Sequence, residues 1–152
     1  MVLNYWTISY NPSRIEKPLP IIYAHCTLKG MQVGTVFSLI YGLKCFPNFY
    51  SQFINKLPIS MVAGVLISNA LCFFQCQVSP LATTEKNQSR AFRIPKNSRQ
   101  NRADDLMLLG GLCGLSLTRY FKVGVLKSFY LGCSIGTIIN TGIYISETFD
   151  RF

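Results

Sequence analysis

Two long stretches of this chain carry no charged side chain: Leu57 to Thr84 and Ser128 to Ser146. A helix that crosses a bilayer needs about 20 predominantly apolar residues, because the hydrocarbon core offers no water to solvate charge. Charged residues make up 14% of the chain, against about 25% in an ordinary soluble domain. The mean hydropathy is positive, which excludes a disordered chain, since disorder needs low hydrophobicity and high net charge. These features predict an all-α integral membrane protein.

Four membrane spans are expected, near 21–43, 57–78, 105–119 and 126–146, forming a single membrane domain over 1–152 with a basic loop at 79–105. The second and fourth are long enough unaided. The first must include Lys29, because the uncharged stretch from Gly30 to Leu43 makes only about 21 Å of helix. The aliphatic stem of Lys29 would let its ammonium snorkel to the headgroups. The third has a still shorter uncharged stretch, Leu106 to Thr118. It needs Asp104, Asp105 and Arg119 held at the interfaces, or a thinned bilayer. Between the first two spans, Cys45 to Lys56 carries Phe46, Phe49, Tyr50 and Phe53 around Pro47 and Asn48. It reads equally as an interfacial turn anchored by aromatics or as an aromatic plug against a partner. The loop holds Lys86, Arg90, Arg93, Lys96, Arg99 and Arg102 without apolar periodicity. It is expected to be solvated or partner-bound, and Asn87→Ala within it to do little. Met1 to Tyr10 has no Lys or Arg and no apolar core with a cleavage site, which predicts internal rather than removable targeting signals.

Small residues recur four apart in every expected span. They are Gly30, Gly34, Ser38 and Gly42; then Ser60, Gly64, Ser68, Cys72 and Cys76; then Gly110, Gly114 and Thr118; then Ser128, Gly132 and Gly136, followed by Asn140. Residues four apart share a helix face. Helices already solvated by lipid gain little from hydrophobicity when they associate, so close backbone approach on small faces does that work. The ridges predict four helices packed side by side.

The net charge of +9 would suggest nucleic acid in a soluble protein. Here the basic residues sit mainly in connecting segments, where lipid headgroups or protein partners are nearer, so no nucleic-acid partner is expected. A reaction centre needs clustered titratable groups, and the second and fourth spans have none. His25 is the only histidine, which excludes bis-histidine haem ligation. Neither a nucleophile motif nor a phosphate-cradling glycine loop occurs. The cysteines Cys26, Cys45, Cys72, Cys76, Cys113 and Cys133 fall mostly in apolar runs, where thiols pack as small hydrophobes. No catalytic residue, cofactor or metal is expected. Asn69, Gln75 and Asn140 are expected to hydrogen-bond between helices.

Ala70, Phe73, Arg99, Asp104, Gly110, Gly111 and Gly114 resemble the motif of the preprotein and amino-acid transporter family of the mitochondrial inner membrane. That family includes protein-translocase channels and an accessory subunit of respiratory complex I. The spacing departs from the motif: the stretch from Phe73 to Arg99 is much longer, and those from Arg99 to Asp104 and from Gly111 to Gly114 also differ. The loop is enlarged. Tyr5, Trp6, Thr7 and Ile8, with the paired Asp104 and Asp105 before Gly110 and Gly111, are more similar to the complex I member. This resemblance implies a non-catalytic subunit that packs on core membrane-arm subunits and supports assembly and stability. The other branch of the family implies a component of an inner-membrane translocase. Lys29, Arg119, Lys122 and Lys127 are candidate contacts to phospholipid headgroups, cardiolipin among them. For orientation, the Lys and Arg distribution would place the termini in the matrix, whereas the resemblance implies the intermembrane space.

Overall fold

The computed structural model describes residues 17–80 and 82–149. Its long helices are α1 (Pro18–Lys44), α2 (Phe49–Phe73), α4 (Ser98–Ser116) and α6 (Val125–Phe149). Shorter helices α3 (Thr84–Arg93) and α5 (Thr118–Phe121) join them, and no strand occurs among the described residues. The all-helical expectation holds. The Tyr5–Ile8 likeness lies outside the described residues.

Local chemistry explains most of the boundaries. Pro18 opens α1, where a missing N–H costs nothing and the fixed φ suits the first turn. A short turn follows, in which the Asn48 N–H donates to the Cys45 carbonyl at 2.9 Å. Helix α2 then starts at Phe49, so the expected Cys45–Lys56 turn is much shorter and its last three aromatics are helical. Pro58 sits inside α2, and the helix runs on through a π-turn over Phe74–Val78. Helix α2 with this extension, Phe49–Val78, is by length and composition apolar enough to cross a membrane, and it is the one helix among the described residues that meets both criteria.

The expectation of an irregular loop over 79–105 is overturned: it contains α3 and the first turns of α4. Thr83 caps α3 by accepting the Lys86 N–H at 3.3 Å. Glu85 lies in the first turn, where a carboxylate complements the helix dipole. Asn97 caps α4 by accepting the Gln100 N–H at 3.1 Å. These caps are local, but α3 has only Asn87 and Ala91 buried. Docking on α1 and the end of α2 supplies what its composition lacks.

Helix α1 packs on α2 and α4 packs on α6, giving two hairpins, with α6 meeting α2 between them. Met31, Phe53, Ile54, Leu57, Met61, Met107, Leu131 and Cys133 form the central core. A smaller core joins Ile21, Ile22, Cys72 and Cys76 to Ala91 of α3.

Candidate functional site

The hairpins are held at glycines. A Cβ added at Gly34 would stand 2.5 Å from the Met61 Cα, and one at Gly30 the same distance from the Gly64 carbonyl oxygen. Gly64 faces the Gly30 carbonyl in return. In the second hairpin Gly110 and Gly132 face each other's carbonyls, Gly114 meets the Ser128 carbonyl, and Gly136 meets that of Leu106. Ser38 is fully buried. A Cβ at Gly42 would come within 3.0 Å of the Phe49 ring, and Phe49 stacks on Phe53 with centroids 5.8 Å apart. The Ser68 hydroxyl donates to the Cys26 carbonyl at 2.8 Å, and the Asn69 amide donates to the Thr27 hydroxyl at 3.0 Å.

A polar cluster joins the two hairpins. Asp104 is 1% exposed, and its Oδ1 accepts from Gln32 Nε2 at 2.9 Å and Gln100 Nε2 at 2.8 Å. Its Oδ2 stands 3.5 Å from His25 Nδ1. Lys29 donates to Gln32 Oε1 at 2.8 Å, so its ammonium joins this cluster. In the sequence His25 looks isolated. The signal that places it is spacing: His25, Lys29 and Gln32 fall at i, i+4 and i+7 on α1, and Gln100 and Asp104 at i and i+4 on α4, one face of each helix. Burying a carboxylate in low dielectric is costly unless it is paired and hydrogen-bonded; here Gln32 and Gln100 bond Oδ1, while Oδ2 and His25 Nδ1 make no hydrogen bond among the described residues.

Beside this cluster a cleft of about 220 Å³ opens between the hairpins, lined by Gln32, Val33 and Val36 of α1, Ala103 of α4, and Thr137, Asn140 and Thr141 of α6. On the outer side of the Gly30–Gly64 crossing lies an apolar groove of about 400 Å³ that Phe37, Ile67 and Leu71 help to line.

The remaining expected site residues serve separate contacts. Ala70 and Phe73 are exposed on α2. Arg99 lies over the Tyr144 ring, 5.7 Å from its centroid. Asp105 is half-buried, and Gly111 packs on the Phe129 ring and the Cys133 thiol. Arg119 and Lys122 are exposed, whereas Lys127 donates to Asn55 Oδ1 at 3.1 Å and so ties α6 to α2. Close to Arg99 in the chain, Arg102 grips Glu147 through both terminal guanidinium nitrogens, at 2.6 and 3.0 Å. Hydrogen bonding to the Glu147 carboxylate holds the Arg102 pKa above its ordinary value. All six cysteines are free thiols, with Cys72, Cys76 and Cys133 buried.

No known protein family, curated protein or solved structure matches this chain.

Proposed function

We propose that the chain is a four-span, non-catalytic accessory subunit of respiratory complex I in the mitochondrial inner membrane. Its role is to support assembly and stability of the membrane arm. The observation that carries the membrane-scaffold part is the number of large apolar side chains left exposed, beside small polar ones that are buried. Phe37 (62% exposed), Leu66, Leu71, Leu112, Ile139 and Tyr144 point outward, while Thr35, Ser38, Ser128, Ser134 and Asp104 are buried. Large apolar side chains exposed in such number on every long helix favour a membrane or partner surface. Small inner faces are how lipid-solvated helices meet. On this reading α1, α4 and α6 cross the membrane together with α2, and Lys29 is carried inside by its polar partners.

Assignment to complex I rests on the likeness of Tyr5–Ile8 and of Asp104–Asp105 with Gly110–Gly111. Gentle detergent extraction, native-gel separation and mass spectrometry of the band holding the chain test it. Co-migration with NADH-oxidising activity is expected. A second reading, a protein-translocase component, draws on the polar cleft at Thr137 and Asn140. Co-migration with translocase components, and an import defect preceding any respiratory defect on depletion, would replace the first reading with this one.

A further inference from the structure

The junction between the hairpins is incomplete at one pair of atoms. Asp104 uses Oδ1 for two amides, from Gln32 at 2.9 Å and Gln100 at 2.8 Å. Its Oδ2 and His25 Nδ1 stand 3.5 Å apart, and both atoms are buried without a hydrogen bond among the described residues. A good N–H···O bond spans about 2.7–3.2 Å, so a small approach would close the gap. The ring is not sealed off: the His25 side chain is 21% exposed, against 1% for Asp104. His25 lies seven residues beyond the start of α1 and Asp104 six beyond that of α4, about 10 Å of helix from either end. Solvent at that end has access to the ring, while the carboxylate stays dry.

Charged and titratable neighbours come from every element around the pair. On α1, Lys29 shares the face of His25 but gives its ammonium to Gln32, and it feels Asp104 through space. Helix α2 sets uncharged groups opposite this turn of α1, with Ser68 on the Cys26 carbonyl and Asn69 on Thr27. The thiols of Cys72 and Cys76 lie in the smaller core with Tyr23 and Cys26. On α3, Arg90 is turned to the Gln75 carbonyl and the Cys76 sulfur. On α4, Arg102 is held by Glu147 of α6, and Asp105 is half-buried next to Asp104. A proton on the ring is therefore opposed by Lys29 and favoured by Asp104. The carboxylate wins, because it stands 3.5 Å from the ring nitrogen and attraction falls with distance.

Histidine is the side chain whose charge ordinarily changes between about pH 5 and 8. We propose that His25 and Asp104 form a proton-binding site that latches the two hairpins. A proton from water adds to the free ring nitrogen, the imidazolium carries an N–H on Nδ1, and that N–H donates to Oδ2 of the Asp104 carboxylate. A neutral ring has one N–H for two nitrogens, whereas the charged ring has one on each. The charge-assisted bond is also about twice as strong as a neutral one. The latched form holds the proton more tightly than separated hairpins do. Linkage therefore strengthens the junction as pH falls through the histidine range and weakens it as pH rises. The site stands on the contact between α1 and α4 and does not depend on the complex I assignment.

The full chain in detergent micelles, isotope-labelled at the histidine ring nitrogens, tests this by magnetic resonance. His25 is the only histidine and gives one set of ring signals. Between about pH 8 and about pH 5.5 the ring should pass from one proton to two. Over the same interval, spin-label distances across the hairpins in a denaturant series should show separation becoming about tenfold less favourable, the worth of one charge-assisted bond. His25→Gln keeps a donor but takes up no proton, so its hairpins should separate equally readily at both pH values. Asp104→Asn provides a second reading should His25→Gln fail to fold: its pH effect should vanish or change sign. A ring that keeps one proton throughout, a junction indifferent to ring protonation, or a pH effect undiminished in the variants would overturn the proposal.

Discussion

Two glycines on the same kind of helix have opposite meanings. At Gly34 any side chain would run into the backbone of Met61 and Ser60, whereas nothing lies within 4 Å of a Cβ built at Gly142. Backbone cannot yield as a flexible side chain can, so Gly34→Leu must push α1 and α2 apart. Overpacking of this kind typically costs about 1–3 kcal/mol, occasionally more. At Gly142 the main consequence of adding a methyl group is lower backbone entropy in the unfolded chain, a gain of about 0.5–1 kcal/mol. Gly34→Leu is therefore expected to lower the thermal midpoint of the detergent-solubilised protein and its steady-state level, with Gly142→Ala equal to or above the parent. A thermal scan of the two variants, with Gly132→Leu as a second crossing, checks this. Equal midpoints for Gly34→Leu and Gly142→Ala would contradict the close approach.

Among the elements, α3 shows how a short polar helix gains a place. A helix leaves its last carbonyls without intrahelical donors, and the π-turn at the end of α2 is such an end. Asn87 donates to the Cys76 carbonyl at 3.0 Å, and Arg90 reaches the Gln75 carbonyl at 3.4 Å. Arg90 also lies 3.6 Å from the Cys76 sulfur. Helix α3 is thus the cap of α2, with a cation at the negative end of the helix dipole. This reverses the expectation for Asn87→Ala. Removing the amide leaves a carbonyl unsatisfied beside a buried residue, at a cost of about 1–3 kcal/mol. The loss should appear as faster tryptic cleavage around Lys86, Arg93 and Lys96, with the cores of α1 and α2 unchanged. Cleavage at the parental rate would show that α3 docks without this bond.

For the whole molecule the decisive contact is the one between hairpins. Each hairpin closes on its own glycines, but α1 reaches α4 through Gln32 and His25 on Asp104. Far along the helices, Lys127 on Asn55 provides a second polar tie, and the shared core of Met31, Leu57, Met61, Met107 and Leu131 lies between the hairpins as well. Removing the acceptor from a buried hydrogen-bond network leaves its donors unsatisfied and costs about 1–3 kcal/mol, more where a charged group is involved. Asp104→Ala strands His25, Gln32, Gln100 and Lys29 together, whereas Asp104→Asn keeps an acceptor for Gln32 and Gln100. The expected order of stability is parent, then Asp104→Asn, then Asp104→Ala. The loss should separate the hairpins before it melts either one. Distances between spin labels across and within the hairpins, followed through a denaturant series, distinguish these steps. Simultaneous loss of both distances in Asp104→Ala would argue against a tie between hairpins.

Features that depend only on neighbours along the chain were legible before any fold was known. The uncharged runs and the spacing of small residues define helices with one small face, because a side chain's position around a helix follows from its number alone. Gly30, Gly34 and Ser38 share a face whatever they meet. Which backbone that face meets was settled by packing: Gly30 finds Gly64 and Gly110 finds Gly132, yet all four ridges carry the same small residues, so spacing cannot choose among them. The basic segment carries more helical patterning than expected, since Asn87 and Ala91 fall four apart on one buried face; where that face docks was decided by packing, because the carbonyls that α3 caps lie on another helix. The polar cluster was half legible, since the i, i+4, i+7 spacing puts His25, Lys29 and Gln32 on one side of α1. That His25 and Gln32 meet Asp104, on a helix of the other hairpin, is a long-range fact that local patterning cannot carry, because it exists only where the two hairpins pack together.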